Sequence, residues 1–357
     1  MTRASLHVVT SDVRRGAETF AVDLVAALGQ AGHDANVVAL SGSGTNEVHS
    51  IQTLGRSRRS VSMLRSLRAA ASNVDVVVAH GSATLEACAL GLGGTGIPFV
   101  YRTIGDPSYW VASAWRRRGV GWMLRRASRN VALWPAAGEE LASIHAIPAE
   151  RIDVIPNAVR SERFWVPEAK DRKRARQRFG VAEDRPCVAF VGSLSPEKDV
   201  ASLLQALGQL RDVFLLVAGD GPEGTRLRSL GEDFAPGRVR FLGAVGDPRE
   251  VYAAADLLVL PSLSEGMPAV IIEAGLMETP TVASAVGAIP EIITDAETGF
   301  LVPPRRPEML ARKIMEALPD SAEVGRRARV AFDGCFTMEA VAPAWAASID
   351  AAASRHH

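Results

Sequence analysis

Glu265 and Glu273 stand eight positions apart in PSLSEGMPAVIIEA, where the apolar run DLLVL gives way to a loop containing Gly266 and Pro268 and then to a helical stretch. A strand that runs into a loop and a helix leaves free N–H groups at the helix start, and such a terminus attracts phosphate. Ala269 and Val270 supply those amides in this reading, with Met267 in the same loop and Gly266 admitting the ligand close to the backbone. A carboxylate beside a phosphate site repels the phosphate. Glu265 is therefore read as an acceptor for sugar hydroxyls to one side, and Glu273, two turns along, as the partner of a vicinal diol such as a ribose. The bland alternative is that both glutamates only cap and solvate a helix.

Lys198 points the same way on separate grounds. The chain has four lysines (Lys170, Lys173, Lys198, Lys313) among 40 basic residues. In SLSPEK, Ser195 reads as an N-cap and Pro196 as the first helical residue, which puts Lys198 in a helical first turn. A cation there is disfavoured by about 0.3–1 kcal/mol, and a diphosphate would offset that cost. A solvated surface lysine is the alternative.

Other patterns carry less. Gly91–Gly96 and Gly219–Gly224 both satisfy G-x-G-x-x-G, but the first precedes a strand and the second lacks the acidic residue expected at the end of the next strand. No lysine follows a glycine, so there is no P-loop. Ser195-x-x-Lys198 resembles a serine-acylase motif without its K-T-G partner. Neither an Asp-x-Asp pair nor a histidine cluster offers a metal site, so no metal and no cofactor are expected.

The elements that must position these residues follow from composition and period. The chain has 357 residues, 47% hydrophobic and 22% charged, which is enough for two packed domains and too apolar for disorder. Up to about Asn157, short β-branched runs (LHVVT, ANVVAL, DVVVAH, PFVYR, VALWP, RIDVIP) alternate with helical stretches such as 17–30 and 60–71. A polar, Arg-rich interval over 161–185 reads as the domain connection. The alternation then restarts with CVAFVG, a helix over 196–210, VFLLVAG, VRFLG, DLLVLPS, PTVAS and GFLVPP, with helices from Glu223, Pro248, Pro268 and Pro307 between and after them. Such alternation is the mark of parallel sheets covered on both faces. The Ala-rich stretch 338–353 reads as a last helix that packs back across the junction.

The 40 Lys and Arg balance 40 Asp and Glu, which argues against nucleic acid as a partner. Residues 1–160 carry 17 basic and 12 acidic side chains, against 23 and 28 in the remainder, so the halves differ in sign. Three well-separated cysteines (Cys88, Cys187, Cys335) indicate neither a disulfide framework nor a zinc cluster. No apolar run approaches the roughly 18–20 residues needed to cross a bilayer, and the first residues lack a signal-peptide core. A cytoplasmic location is expected.

Glu265-x7-Glu273 in this setting, followed by GAIPEIITDAETGFLVPP, resembles the signature of the retaining glycosyltransferases of family GT4, which have the GT-B fold. The likeness is dense over 187–305, including VGSLSPEKDVASLLQAL, LLVAGDGPE and VRFLGAVGDPREVYAAAD. In the first half it is confined to GAETFAVDLVAALGQAGHDANVV, DVVVAHG and VIPNAV. The resemblance implies an α/β architecture of two doubly wound Rossmann-like domains facing a cleft: an acceptor-side domain over 1–165, a nucleotide-sugar domain over 166–337, and a C-terminal helix over 338–357 packing on the first. It implies transfer of a sugar from a UDP- or GDP-sugar to a glycan, lipid-linked or small-molecule acceptor, with retention at the anomeric carbon and without metal. Glu265 would bind donor sugar hydroxyls, Glu273 the ribose, and Lys198 the diphosphate, with Gly192 and the backbone of Gly266–Val270 also lining the donor. Three positions depart from the pattern. Ser193 stands where many relatives carry Arg, Ile104 lies near the place of a histidine, and the N-terminal glycine pair is reduced to Arg15-Gly16. Gly16 is kept as a donor contact, and Arg102 and Asp106 are the substitutes by position, Asp106 as a catalytic group. His80, at a strand end, reads equally as a cleft residue or a structural histidine. A GT-B scaffold that binds a nucleotide sugar without turnover is the competing reading, and a sugar-nucleotide epimerase is a third.

The segment 109–134 interleaves Trp110, Trp115, Trp122 and Trp134 with Arg116, Arg117, Arg118, Arg125, Arg126 and Arg129. Basic and aromatic residues together suit an anionic membrane surface, so peripheral attachment at the inner face of the membrane is expected; a core helix with a solvated basic face is the alternative.

Overall fold

The computed structural model describes residues 3–13, 16–42, 49–105 and 114–354. The chain divides into two units, Met1–Val159 with Phe336–His357, and Arg160–Cys335. The first begins with β1 (Ala4–Ser11), α1 (Gly16–Gln30), β2 (Asp34–Ser41), a two-residue β3 (Gln52–Thr53), α2 (Val61–Ala71) and β4 (Val76–His80). It continues with α3 (Ser82–Gly91), β5 (Phe99–Arg102), α4 (Ala114–Arg126), β6 (Arg129–Ala132), α5 (Pro135–His145) and β7 (Ile152–Val154). All seven strands are parallel, in the order β3-β2-β1-β4-β5-β6-β7. Every residue of Val76–His80 is buried, as expected where helices cover both faces of a strand. The direction of winding reverses between β1 and β4, the place where open α/β sheets offer a crevice at their carboxyl edge.

The second unit starts with α6 (Ala169–Phe179), then β8 (Cys187–Val191), α7 (Val200–Gly208), β9 (Phe214–Ala218), α8 (Gly224–Phe234), β10 (Val239–Gly243) and α9 (Arg249–Ala254). It ends with β11 (Leu257–Leu260), α10 (Ala269–Leu276), β12 (Thr281–Ser284), α11 (Ile289–Ile292), β13 (Phe300–Val302), α12 (Pro307–Ala317) and α13 (Ser321–Asp333). Its six parallel strands run β10-β9-β8-β11-β12-β13. Both sheets have the doubly wound order.

Three expectations need correction. The units meet at Val159–Arg160, earlier than the expected boundary at 165/166. The interval read as a connection contains α6, a helix of the second unit. Arg176 of α6 is buried and donates to the carbonyls of Ala254 and Ala182 at 3.0 and 2.9 Å and to Asp256 at 2.9 Å. Asp256 also accepts the Cys187 N–H at 2.7 Å, so charges of the interval read as a connection clamp α6 to the start of β8 and the end of α9. The helix expected over 196–210 is broken: Pro196–Lys198 is a 3-10 turn, Asp199 adopts φ +46°, and α7 begins only at Val200.

The last helix, α14 (Met338–Ser354), packs in the first unit. Its Met338, Val341, Trp345 and Ile349 share a core with Phe20 and Leu24 of α1 and with Val78, Val100 and Val131 of the sheet. The chain's return is sewn beside its departure, with Val159 N donating to Phe336 O and Met338 N to Val159 O, each at 3.0 Å.

Under α14 lies a histidine pair. His7 Nδ1 and His80 Nε2 are 3.1 Å apart, their rings stack at 5.3 Å, and the Phe20 and Trp345 rings flank His80. Both are buried, which makes His80 a structural histidine. Burial pulls His7 down to about 3. It pulls His80 well below its ordinary value too, with the charges of His7 and Arg102 adding to the effect. Both rings are neutral in the fold while the unfolded chain protonates near pH 6.5, so between about pH 3 and 6.5 the unfolded state holds more protons and stability rises with pH. Lowering the pH from 6.5 to 5 is expected to cost about 1.6 kcal/mol at His7, with His80 adding a loss of the same sign. Urea unfolding at both pH values checks this, and a His7→Gln variant should lose part of the slope. An unchanged slope assigns the acid sensitivity to other groups.

Candidate functional site

The turn that carries Lys198 is held by backbone. Gly192 N donates to Ala218 O at 3.0 Å, Leu194 N to Asp220 O at 2.9 Å, and Glu223 N to Leu194 O at 2.9 Å, so the turn after β8 lies flat on the turn after β9. Gly219 makes that possible: a Cβ on it would stand 1.7 Å from Gly192 O. The glycines of 219–224, which suggest a dinucleotide loop in the sequence, serve this approach of two turns. Ser193 Oγ bonds Ser195 Oγ at 3.0 Å, and Ser195 Oγ donates to Glu197 at 2.6 Å.

Opposite stands the loop after β11, tied to the same turn by Leu263 N donating to Glu197 O at 2.8 Å. Lys198 Nζ donates to Glu265 Oε1 at 2.6 Å, and the buried Ser262 hydroxyl donates to that same oxygen at 2.6 Å. Glu265 is 8% exposed and Lys198 20%. Both donors converge on Oε1, leaving Oε2 without a hydrogen bond among the described residues. A carboxylate so held has its orientation set through one oxygen and can accept a ligand's hydroxyls through the other. Gly287, with φ +54°, presses on this loop from behind: a Cβ there would stand 1.8 Å from Glu265 O, and Ala288 N donates to Gly266 O at 3.0 Å. Lys198 thus meets an anion already present in the protein, and its place is a 3-10 turn ahead of α7 in place of the α-helical first turn expected.

Pro268 precedes α10, so the N–H groups of Ala269 and Val270 lie at its start, next to the Glu265 loop, with Met267 buried beneath. Glu273 is the fifth residue of α10, little more than one turn in. The buried Tyr252 hydroxyl donates to Glu273 Oε2 at 2.7 Å. Burial and the Glu273 charge raise Tyr252 well above its ordinary value, so it remains a donor. Ser262, Tyr252 and Gly287 were missed in the sequence. The available signal was position: Ser262 lies three residues before Glu265, and Tyr252 lies on the helix that precedes β11.

The first-unit residues are placed otherwise. Gly16 is exposed at the start of α1, and Arg15 and Asp106 lie outside the described residues. Arg102 is 1% exposed. Its Cζ sits 3.7 Å over the Phe20 ring, and Nη2 donates to Asn157 Oδ1 at 2.9 Å. Burial pulls it down to about 9, opposed by Tyr101 and Glu18, which leaves it charged at neutral pH. It is enclosed by the core and no surface phosphate reaches it in this conformation. Among the described residues no three of His, Cys, Asp and Glu converge as a metal ion requires, and no helix is long and apolar enough to cross a membrane.

Residues 171–331 match the family model described as Glycosyl transferases group 1, and residues 14–163 match that of Glycosyltransferase Family 4. D-inositol 3-phosphate glycosyltransferase of Mycobacteroides abscessus is 37% identical over 212 residues, which is 56% of this chain and 47% of that protein. The enzyme of the same name from Mycolicibacterium paratuberculosis is 33% identical over 236 residues, 64% of this chain and 49% of its own. The chain spans about half the length of these curated relatives. Among solved structures, HepE from Anabaena in complex with UDP-glucose superposes with a TM-score of 0.86 at 23% identity, covering 98% of this chain and 99% of that one. WaaG, a glycosyltransferase involved in lipopolysaccharide biosynthesis, superposes at 0.76 and 17% identity, covering 97% and 99%.

The Lys198–Glu265 pair is tested without any ligand. Lys198→Met leaves a nearly buried carboxylate with Ser262 alone, and a loss of roughly 1–3 kcal/mol is expected, below the figure for a fully buried pair because Lys198 is partly solvated. Adding Glu265→Gln should recover part of it. Strictly additive losses in urea unfolding would mean that the pair does not couple.

Proposed function

The chain belongs to the group 1, family 4 glycosyltransferases of GT-B fold, and on that premise we propose that it moves a sugar from a nucleoside-diphosphate donor to an acceptor, with retention at the anomeric carbon and without metal. The observation that carries this reading is Glu265, held through Oε1 by Lys198 and Ser262, with Oε2 unbonded beside the start of α10. The diphosphate would lie on the amides of Ala269 and Val270, the sugar toward Glu265, and the ribose toward Glu273. Lys198 would turn from Glu265 toward the diphosphate as negative charge grows on the leaving group, and a preorganised cation there lowers the barrier to departure. UDP is the donor nucleotide to examine first, since the matched HepE structure holds UDP-glucose, and GDP is the alternative. The relatives' name, an inositol phosphate glycosyltransferase, favours a phosphorylated acceptor, either small or lipid-linked. A second reading, a nucleotide-sugar-binding scaffold without turnover, draws on Ser193: it bonds Ser195 where relatives carry a second cation. Release of free UDP or GDP from donor sugars, with and without acceptor, separates the two.

We also propose that the first unit binds membranes peripherally from the cytoplasmic side. Trp115 is 81% exposed and Trp122 45%, and Arg118 and Arg126 stack over them at 5.8 and 5.2 Å. Trp134 is buried and Arg129 donates to Asp153 at 2.6 Å, so the face is narrower than the sequence suggests; Trp110 lies outside the described residues. Vesicle cosedimentation should favour anionic lipid, and Trp115→Ala with Trp122→Ala should reduce recovery severalfold. Equal recovery with neutral and anionic vesicles ends this proposal.

The two glutamates should fail differently. Glu273→Ala is expected to weaken free nucleotide and nucleotide sugar alike, by roughly 1.5–3 kcal/mol, and Tyr252→Phe to do the same more mildly. Glu265→Ala should spare free nucleotide and lower turnover, because its contact tightens as positive charge grows on the sugar ring. Calorimetry with UDP and GDP, then steady-state rates, reads the contrast. Loss of free nucleotide in Glu265→Ala as severe as in Glu273→Ala reverses the assignment of sugar and ribose ends.

A further inference from the structure

The second unit holds a cavity of about 700 Å³ whose lining includes none of the residues assigned to the donor. α6 presents Asp171, Arg174 and Arg178 to it, at spacings of three and four residues that put them on one face of the helix. The loop after β10 brings Val245 and Asp247, and the first turn of α9 brings Arg249 and Glu250. Ahead of α6, Trp165 follows a 3-10 turn closed by Phe164 N donating to Ser161 O at 3.0 Å. Arg249 pins it there, with Cζ 4.5 Å over the indole and Nη1 donating to Arg163 O at 3.4 Å. Trp165 is still 49% exposed.

Trp165, Phe179, Leu242, Val245, Val251 and Met277 make the apolar part of the lining. The charged part is closed upon itself. Arg249 Nε donates to Asp247 at 2.8 Å, Arg178 donates to Glu250, and Arg174 lies 3.9 Å from Asp171. Among the described residues, three guanidinium groups in the lining thus answer three carboxylates. A charged ligand finds no net charge of opposite sign and must compete with an ion pair already formed. A wholly apolar ligand strips water from those groups and returns no hydrogen bond. A neutral ligand edged with hydroxyls meets guanidinium N–H and carboxylate oxygen side by side, and bridges both without parting the pair. Pyranose rings have that edge and also a face of C–H bonds, which the negative face of an indole attracts. The volume lies within the ~300–1,000 Å³ of pockets that enclose a drug-sized ligand, room for two or more sugar rings.

We propose that this cavity binds a neutral oligosaccharide, one ring lying on Trp165 and its hydroxyls on the Arg249–Asp247 and Arg178–Glu250 pairs. It shares no residue with the site of Glu265 and Glu273, so it holds sugar units that do not react. Their belonging to a glycan that the enzyme extends rests on the transferase reading above; their binding does not.

The test uses the full chain with lactose, cellobiose and 3′-sialyllactose, read by saturation-transfer NMR and calorimetry. Lactose or cellobiose should bind saturably. Trp165→Leu keeps an apolar side chain but loses the ring, and should weaken that binding about tenfold, whereas Trp165→Tyr should hold it within about twofold. Glu250→Gln leaves one guanidinium in excess and should tighten 3′-sialyllactose, which adds one carboxylate to lactose, severalfold; misfolding cannot produce that gain. Absence of disaccharide binding, equal binding by the two Trp165 variants, or an unchanged affinity for 3′-sialyllactose in Glu250→Gln overturns the proposal. So does uridine displacing the disaccharide one for one, which gives the cavity to the donor's base. UDP titrated into the same variants keeps the two readings apart: disaccharide binding without UDP binding removes the donor assignment and leaves the saccharide site standing.

Discussion

A carboxylate withdrawn from water must be paired, and much of the second unit is arranged around that requirement at Glu265. Its one shielded oxygen takes both a cation and a hydroxyl. To bring Lys198 there, the chain breaks what would have been a continuous helix at Asp199 and lays one turn on another at Gly219. To hold the carboxylate still, Gly287 backs its loop with no side chain between. The ion pair is thus the meeting point of the turns after β8, β9 and β11, and the parallel sheet puts all three at one edge because every strand runs the same way.

The same pair gives the site a built-in competitor. Lys198 cannot give its full charge to a diphosphate while it donates to Glu265, and Glu265 loses a neutralising partner when Lys198 leaves. On the proposed reading, a nucleoside-diphosphate sugar would resolve this by offering phosphate to the lysine and hydroxyls to the glutamate together. Nucleotide alone would meet only half of the demand. Discrimination between the two ligands can therefore arise from the protein's own electrostatics as well as from added contacts.

The strands of both sheets and the Glu265-x7-Glu273 pair were legible because each is local: β-branched runs seven or fewer residues long, and a strand-loop-helix junction with glycine and proline in the loop. What escaped depends on partners distant in sequence. Lys198 looked helical because Ser195 and Pro196 are good starters, and local propensity yielded to a backbone fit with the turn after β9. Arg102 stood by position as a substitute for the cation missing at Ser193, yet it is enclosed by Phe20 and Asn157. The arginines of α6 read as part of a domain connection, and Asp256 with the carbonyl of Ala254, some eighty residues on, joins the nearby carbonyl of Ala182 in making Arg176 structural. Tyr252 and Ser262 carry no motif, since a hydroxyl's value as a donor depends on burial.

The first unit's core is discontinuous along the chain. Trp345, Ile349 and their neighbours on α14 complete an interior otherwise built from residues before Val159, whereas Arg160–Cys335 is a single uninterrupted stretch. During synthesis on a ribosome the amino-terminal portion therefore emerges first but lacks the helix that covers Phe20 and the histidine pair until some 180 further residues have been made. The second unit holds all of its own strands and helices and can close while the first still waits. That connectivity is expected to invert the usual amino-to-carboxyl order of domain maturation. The segment that waits is an apolar parallel sheet with part of one face uncovered beside α1, the kind of surface that cellular chaperones hold.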